Sequence, residues 1–111
     1  MKNILIDLVK IIKKNKKKSY KISYTSFLFK KGDSFCLKKL KEEINELLIS
    51  LKKKNNKKDV IHETADLIYH LLVVLEIRKI NIKSIFYELK KRMKISGLEE
   101  KRRRPSNVRS K

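Results

Sequence analysis

Apolar residues recur at intervals of three and four along most of the 111-residue chain, the spacing of one face of an α-helix. Ile4, Leu5, Leu8, Ile11 and Ile12 predict an amphipathic helix over about residues 3–14, closed by the solvated run from Lys13 to Lys18. Ser23-Tyr24-Thr25 offers a cap to a short second helix bearing Phe27, Leu28 and Phe29, with Gly32 as its terminator. These aromatics are expected in the core rather than against a ligand. Asp33 and Ser34 offer N-caps to a long third helix ending near Lys54, whose apolar stripe is Leu37, Leu40, Ile44, Leu47, Leu48 and Leu51. Asn55-Asn56 marks a turn, and Asp59 begins a fourth helix running to about Arg78. On it Ile61, Ala65, Ile68, Leu72 and Leu75 repeat on one face and Leu67, Leu71 and Val74 on another. Asn81 caps a fifth helix through Ile82, Ile85, Phe86 and Leu89 that should end before Gly97.

The expected fold is therefore all-α, a helical bundle of about five helices. The segment from Leu67 to Leu75 is apolar almost all round, which implies contacts on several sides and a bundle completed by dimerisation. Residues 1–98 are expected to form one domain. Residues 99–111, with Arg102-Arg103-Arg104 and the sole proline, are expected to be a basic, flexible tail, since nothing in that sequence can build a core.

Charge placement adds chemistry to this scaffold. Lys39-Leu40-Lys41-Glu42-Glu43-Ile44-Asn45-Glu46 is followed, sixteen residues later, by Glu63-Thr64-Ala65-Asp66-Leu67-Ile68-Tyr69-His70. The two motifs, Glu-Glu-x-x-Glu and Glu-x-x-Asp, hold five of the twelve carboxylates of the chain. Glu42 with Glu46, Glu43 with Glu46, and Glu63 with Asp66 are like-charge neighbours on a helix, each costing ~0.2–0.5 kcal/mol. A chain rich in lysine could avoid that cost, so the pattern points to a bound cation. A single Glu-x-x-Glu is ordinary on a surface helix. Two of them on successive helices are not, because packing those faces together assembles Glu43, Glu46, Glu63 and Asp66. Hard oxygen ligands of this kind suit Mg²⁺, which is typically shared with substrate phosphates. His62-Glu63 opens like a zinc-protease motif, but Asp66 stands where the second histidine belongs, so that motif fails. His62 is expected on the helix surface, and His70 as a packing or hydrogen-bonding residue near the site. There is no P-loop or Gly-x-Gly-x-x-Gly, so metal and lysines must hold any phosphates.

The same residues carry a resemblance. From Ser23-Tyr24-Thr25 through Gly32, Lys39, Glu42-Glu43 and Glu46, then Glu63-x-Ala65-Asp66-Leu67-x-Tyr69-His70, to Ser96-Gly97-Leu98-Glu99-Glu100-Lys101, the chain resembles the phosphoribosyl-ATP pyrophosphohydrolases of histidine biosynthesis. These belong to the all-α, MazG-like nucleoside triphosphate pyrophosphohydrolases. Lys41 departs from the glycine common there, and Ile44-Asn45 from a smaller residue. The resemblance implies Mg²⁺-dependent hydrolysis of phosphoribosyl-ATP to phosphoribosyl-AMP and pyrophosphate. Glu43, Glu46, Glu63 and Asp66 are then the expected metal ligands, and Glu42 orients or deprotonates the attacking water. Lys39 is the nearest phosphate contact, with Lys101 and Arg104 as further substrate contacts from the tail. A homodimer, and a functional link to the phosphoribosyl-AMP cyclohydrolase acting next, are implied too.

The formal charge of +19 would ordinarily suggest nucleic acid or an anionic surface. Here the excess is mostly lysine, spread along the chain beside many isoleucines and asparagines. AT-rich coding bias is the preferred account, and nucleic acid is not the expected partner. One cysteine, Cys36, excludes an intramolecular disulfide and reads as a small apolar residue. Asp7 and Lys10 interrupt the N-terminal apolar run, and no stretch is long enough to span a membrane. These features predict a cytoplasmic enzyme. The alternatives are a pyrophosphohydrolase clearing unwanted (deoxy)nucleoside triphosphates, separable by substrate preference, and a non-catalytic basic helical protein binding nucleic acid, separable by metal-dependent pyrophosphate release.

Overall fold

A computed structural model describes residues 3–94, and these form five helices in chain order: α1 (Ile4–Asn15), α2 (Tyr24–Lys31), α3 (Asp33–Lys52), α4 (Lys57–Ile77) and α5 (Ile82–Met93). The expected all-α architecture is observed. Gly97, the division at residue 98 and the tail residues Lys101 and Arg104 lie outside the described residues.

Local chemistry sets the helix ends. Asn3 caps α1 by accepting from the Leu5 and Ile6 N–H groups, Ser23 caps α2 by accepting from Ser26, and Asn81 caps α5 by accepting from Lys83. Gly32 ends α2 and caps α3 at once, at φ +91°, a left-handed value at which a side chain would be strained. Asp33 is not the cap expected of it. It is the first residue of α3, and its carboxylate receives two hydrogen bonds from the Arg78 guanidinium at the end of α4, at 2.9 and 3.0 Å. The third helix stops at Lys52 and the fourth starts at Lys57, each two residues from the sequence estimate. Asn55 makes the turn at φ +53°, and the Asn56 side chain donates to the Ser50 carbonyl and hydroxyl.

The most extensive packing joins α3 to α4 as a helical hairpin. α2 lies against both, and α1 packs on α2, α4 and α5. Ile12, Leu28, Cys36, Leu72, Val73, Val74 and Ile82 form the buried core, flanked by half-buried Phe27, Phe29, Phe35 and Phe86. The aromatics of α2 thus serve the core, as expected.

Only Leu40 and Leu47 of the stripe expected to bury α3 face inward. Leu37, Ile44, Leu48 and Leu51 are exposed, and the face turned to the hairpin is Cys36, Leu40, Glu43, Leu47 and Ser50. The reason is that the hairpin interior at this level is polar: it encloses Glu43 and Ser50, which leaves the other four on an outer face. On α4, Ile61, Ile68 and Leu71 are likewise exposed. No described helix is long and apolar enough to cross a membrane.

Candidate metal centre

The carboxylates converge across the hairpin interface. Glu43 sits at the centre of α3 with only 5% of its surface exposed, one turn from Lys39 in one direction and from Leu47 in the other. Glu63 and Asp66 share one face of α4 because residues three apart lie on adjacent turns. One carboxylate oxygen from each of Glu43, Glu63 and Asp66 lies within 4.8 Å of the other two. The Oε1 of Glu63 is buried and has no hydrogen-bond partner among the described residues.

The electrostatics follow from that crowding. Burial, and then the neighbouring Glu46, push the Glu43 carboxyl above the usual range, opposed by His70 and Lys39. Burial and Glu46 likewise raise Glu63, with His62 opposing. A buried carboxylate lacking a partner is costly, and such groups in native proteins generally have a cation, proton or ion to satisfy them. Three carboxylates this close, one of them with an orphaned oxygen, suit a hard divalent cation.

Of the five acidic residues singled out in the sequence, the fold brings together three. Glu46 stands beside the trio, close enough to raise two of its members, but contributes no oxygen to the group. Glu42 is exposed, and its Oε1 accepts a 3.3 Å bond from Lys39, so the candidate base and the candidate phosphate ligand are paired with each other. His62 is on the surface as expected, with Nε2 3.3 Å from an Asp66 oxygen.

Two features escaped the sequence. A cavity of about 250 Å³ adjoins the centre, lined by Glu46, Ile49, Ser50, Lys53, Asn56, Asp59 and Glu63, and it puts Lys53 near the carboxylates. The second is a polar and aromatic cluster joining Tyr24 and Thr25 of α2 to Tyr69 and His70 of α4. The Tyr24 hydroxyl is 3.2 Å from His70 Nε2, and the Thr25 and Tyr69 hydroxyls are hydrogen-bonded. His70 is the hydrogen-bonding residue expected near the site, while for its partners the only signal was that both segments took part in the resemblance.

Comparison with known proteins accords with this arrangement. The family model for phosphoribosyl-ATP pyrophosphohydrolase matches residues 5–93. The chain is 41% identical over 104 residues to the phosphoribosyl-ATP pyrophosphatase of Vesicomyosocius okutanii, spanning 94% of this chain and 98% of that protein. With the enzyme of the same name from Listeria welshimeri the identity is 43% over 89 residues, 80% of this chain and 84% of the relative. The histidine biosynthesis bifunctional protein HisIE of Helicobacter hepaticus is 42% identical over 99 residues, which span 89% of this chain but 42% of that longer protein. With a family match across nearly all of the helical region and relatives aligned almost end to end, the chain belongs to the phosphoribosyl-ATP pyrophosphohydrolase family.

Proposed function

We propose that this protein hydrolyses phosphoribosyl-ATP to phosphoribosyl-AMP and pyrophosphate, using Mg²⁺ held by Glu43, Glu63 and Asp66 with Glu46 beside them. The observation that carries the metal assignment is the buried, unpartnered Glu63 oxygen within a three-carboxylate group. Mg²⁺ bound there would supply neutralisation of triphosphate charge and a lowered pKa for the attacking water. In the reaction a water oxygen bonds to the α-phosphorus, the α–β anhydride bond breaks, pyrophosphate leaves, and the water loses a proton.

The Lys39–Glu42 pair gives that proton a destination. Lys39 is half-buried on the turn before Glu43, and a phosphate group is a stronger partner for its ammonium than an exposed carboxylate. When Lys39 turns to the substrate, Glu42 loses its counter-ion and becomes available to orient the water or accept its proton. Lys39→Met should then raise KM and lower kcat, whereas Glu42→Gln should lower kcat with little change in KM.

Phosphoribosyl-ATP carries a phosphate that ATP lacks, and Lys101 and Arg104 are proposed to hold it. Truncation after Met93 should weaken turnover of phosphoribosyl-ATP far more than residual turnover of ATP; equal losses would reject that role. The protein is further proposed to be a homodimer, since the exposed Leu37, Ile44, Leu48 and Leu51 of α3 and Ile61, Ile68 and Leu71 of α4 offer apolar area to a second copy. Sedimentation of a folded monomer at micromolar concentration would exclude this. A functional link to a phosphoribosyl-AMP cyclohydrolase is supported by the Helicobacter hepaticus relative, which is named a bifunctional protein. The deciding experiment is a substrate screen with pyrophosphate detection, with and without Mg²⁺. Preference for deoxynucleoside triphosphates would overturn the substrate assignment, and metal-independent release would overturn the cofactor.

A further inference from the structure

A second polar chain, outside the carboxylate group, ends on the same turn of α4. His70 is buried at 8% exposure, with Nδ1 2.8 Å from the backbone carbonyl oxygen of Asp66 and Nε2 3.2 Å from the Tyr24 hydroxyl. A carbonyl only accepts, so Nδ1 carries the proton. In the neutral ring Nε2 is then the acceptor and the Tyr24 O–H the donor. Burial raises the Tyr24 pKa, so the phenol keeps that proton through neutral pH.

Tyr24 is half exposed yet held in place. Its ring stacks on Phe27 and on Tyr69, with centroids 6.1 and 6.2 Å away, and meets the His70 ring edge-on at 5.8 Å. The bond between Thr25 and Tyr69 repeats the link from α2 to α4 one residue along on each side. Core packing of α2 rests on Leu28, Phe27 and Phe29, so the Tyr24 oxygen is not required for α2 to dock. What it does add is a hydrogen-bonded route from the N-terminus of α2 to the main chain of a carboxylate residue.

We propose that Tyr24 and His70 are positioning residues for the metal centre: the relay from the Tyr24 hydroxyl through His70 to the Asp66 carbonyl fixes the turn bearing Glu63 and Asp66, so that both face Glu43 before any cation arrives. The inference rests on the metal reading given above. Partners behind metal ligands generally govern affinity by orienting the ligands, and their loss costs about 10–100-fold. Glu63 and Asp66 cannot relax toward each other without cost, because both are acidic and neighbours on one helix. A tether on that turn therefore opposes the repulsion that an empty centre exerts.

The test uses Mn²⁺ as probe, with the full-length chain and no substrate, and free Mn²⁺ is read by electron paramagnetic resonance. Tyr24→Phe deletes one oxygen and keeps the ring; it should weaken Mn²⁺ binding about 10-fold or more while circular dichroism and the thermal midpoint of the metal-free protein stay close to wild type. His70→Asn keeps a donor for the Asp66 carbonyl and loses the Tyr24 bond, whereas His70→Gln does the reverse; each should weaken binding, since each breaks the relay once. These variants carry the test if Tyr24→Phe folds poorly. A lowered thermal midpoint with unchanged Mn²⁺ affinity would overturn the inference and leave the relay a packing feature. Glu63→Gln separates the two readings. If wild type binds, Glu63→Gln does not and Tyr24→Phe binds as wild type does, the positioning role alone fails. If wild type takes up no Mn²⁺, or Glu63→Gln binds normally, the metal reading fails and this inference with it.

Discussion

The α3–α4 hairpin treats carboxylates in two opposite ways. Near the start of α3, Asp33 meets the Arg78 guanidinium in a two-pronged bond, and Glu76 of α4 lies 2.9 Å from Lys16 with Lys13 beyond. In the middle of the same hairpin, Glu43, Glu63 and Asp66 crowd together with His62 as the one ion-pair partner among the described residues. The protein has 31 basic residues, so a shortage of cations does not explain this. Where charge only joins helices it is compensated within the chain. Where carboxylates crowd instead, a proton or an external cation would balance them, and the latter is the role proposed for Mg²⁺.

The largest expected effect breaks the uncompensated group. Glu63→Gln or Asp66→Asn should lower kcat/KM by at least ~100-fold, since a ligand should matter no less than the outer partners whose loss costs 10–100-fold. Glu46→Asn, or better the isosteric Glu46→Gln, should do the same if Glu46 joins the centre when metal is bound. Without metal these variants should be as stable as wild type or more so, because repulsion is relieved. Unchanged turnover in Glu63→Gln and Asp66→Asn would remove the site.

Metal addition supplies the next contrast. Saturating Mg²⁺ should raise the unfolding free energy by about 2.7 kcal/mol at a hundred times its dissociation constant, and Glu63→Gln should abolish the gain while Asp33→Asn retains it. A thermal shift equal in all three proteins would mean that the cation acts elsewhere.

The smallest effect concerns pH, and its sign differs between the two regions. Arg78 holds Asp33 below the ordinary carboxylate range, so its contribution is present above the unfolded carboxylate pKa and lost as pH falls through the folded one. Glu43 and Glu63 are raised, so the folded state binds more protons than the unfolded state and stability falls as pH rises from the ordinary carboxylate range through their folded values. Denaturant midpoints of metal-free protein should therefore show the Asp33→Asn deficit vanishing in acid and the Glu43→Gln advantage growing toward neutrality. Parallel profiles for both variants would contradict the distinction.

Helix periodicity and the two acidic motifs made the five helices and three of the clustered carboxylates legible in the sequence. The orientation of α3 was not. A count of apolar residues centres the buried face on Leu37, Leu40, Ile44, Leu47, Leu48 and Leu51, of which only Leu40 and Leu47 turn inward. The observed interior instead follows Cys36, Leu40, Glu43, Leu47 and Ser50, a row that looks amphipathic only once Glu43 and Ser50 are known to line a polar centre. His70 was legible as a hydrogen-bonding residue near the site, but its pairing with Tyr24 was not: their bond spans 46 residues, and no local pattern encodes which hydroxyl meets which imidazole.

The joint at Gly32 has a mechanical consequence. α2 and α3 meet at this single residue, whereas four residues separate α3 from α4. An α-helix turns by about 100° per residue, so one residue inserted after Asp33 would advance Glu43 around the axis of α3 by more than a quarter turn unless the helix slid to absorb it. The same insertion beside Asn55 would lengthen a surface loop and leave both helix faces in phase. The chain should accept length changes at one end of α3 and reject them at the other, as a gear tolerates a longer shaft but not a skipped tooth.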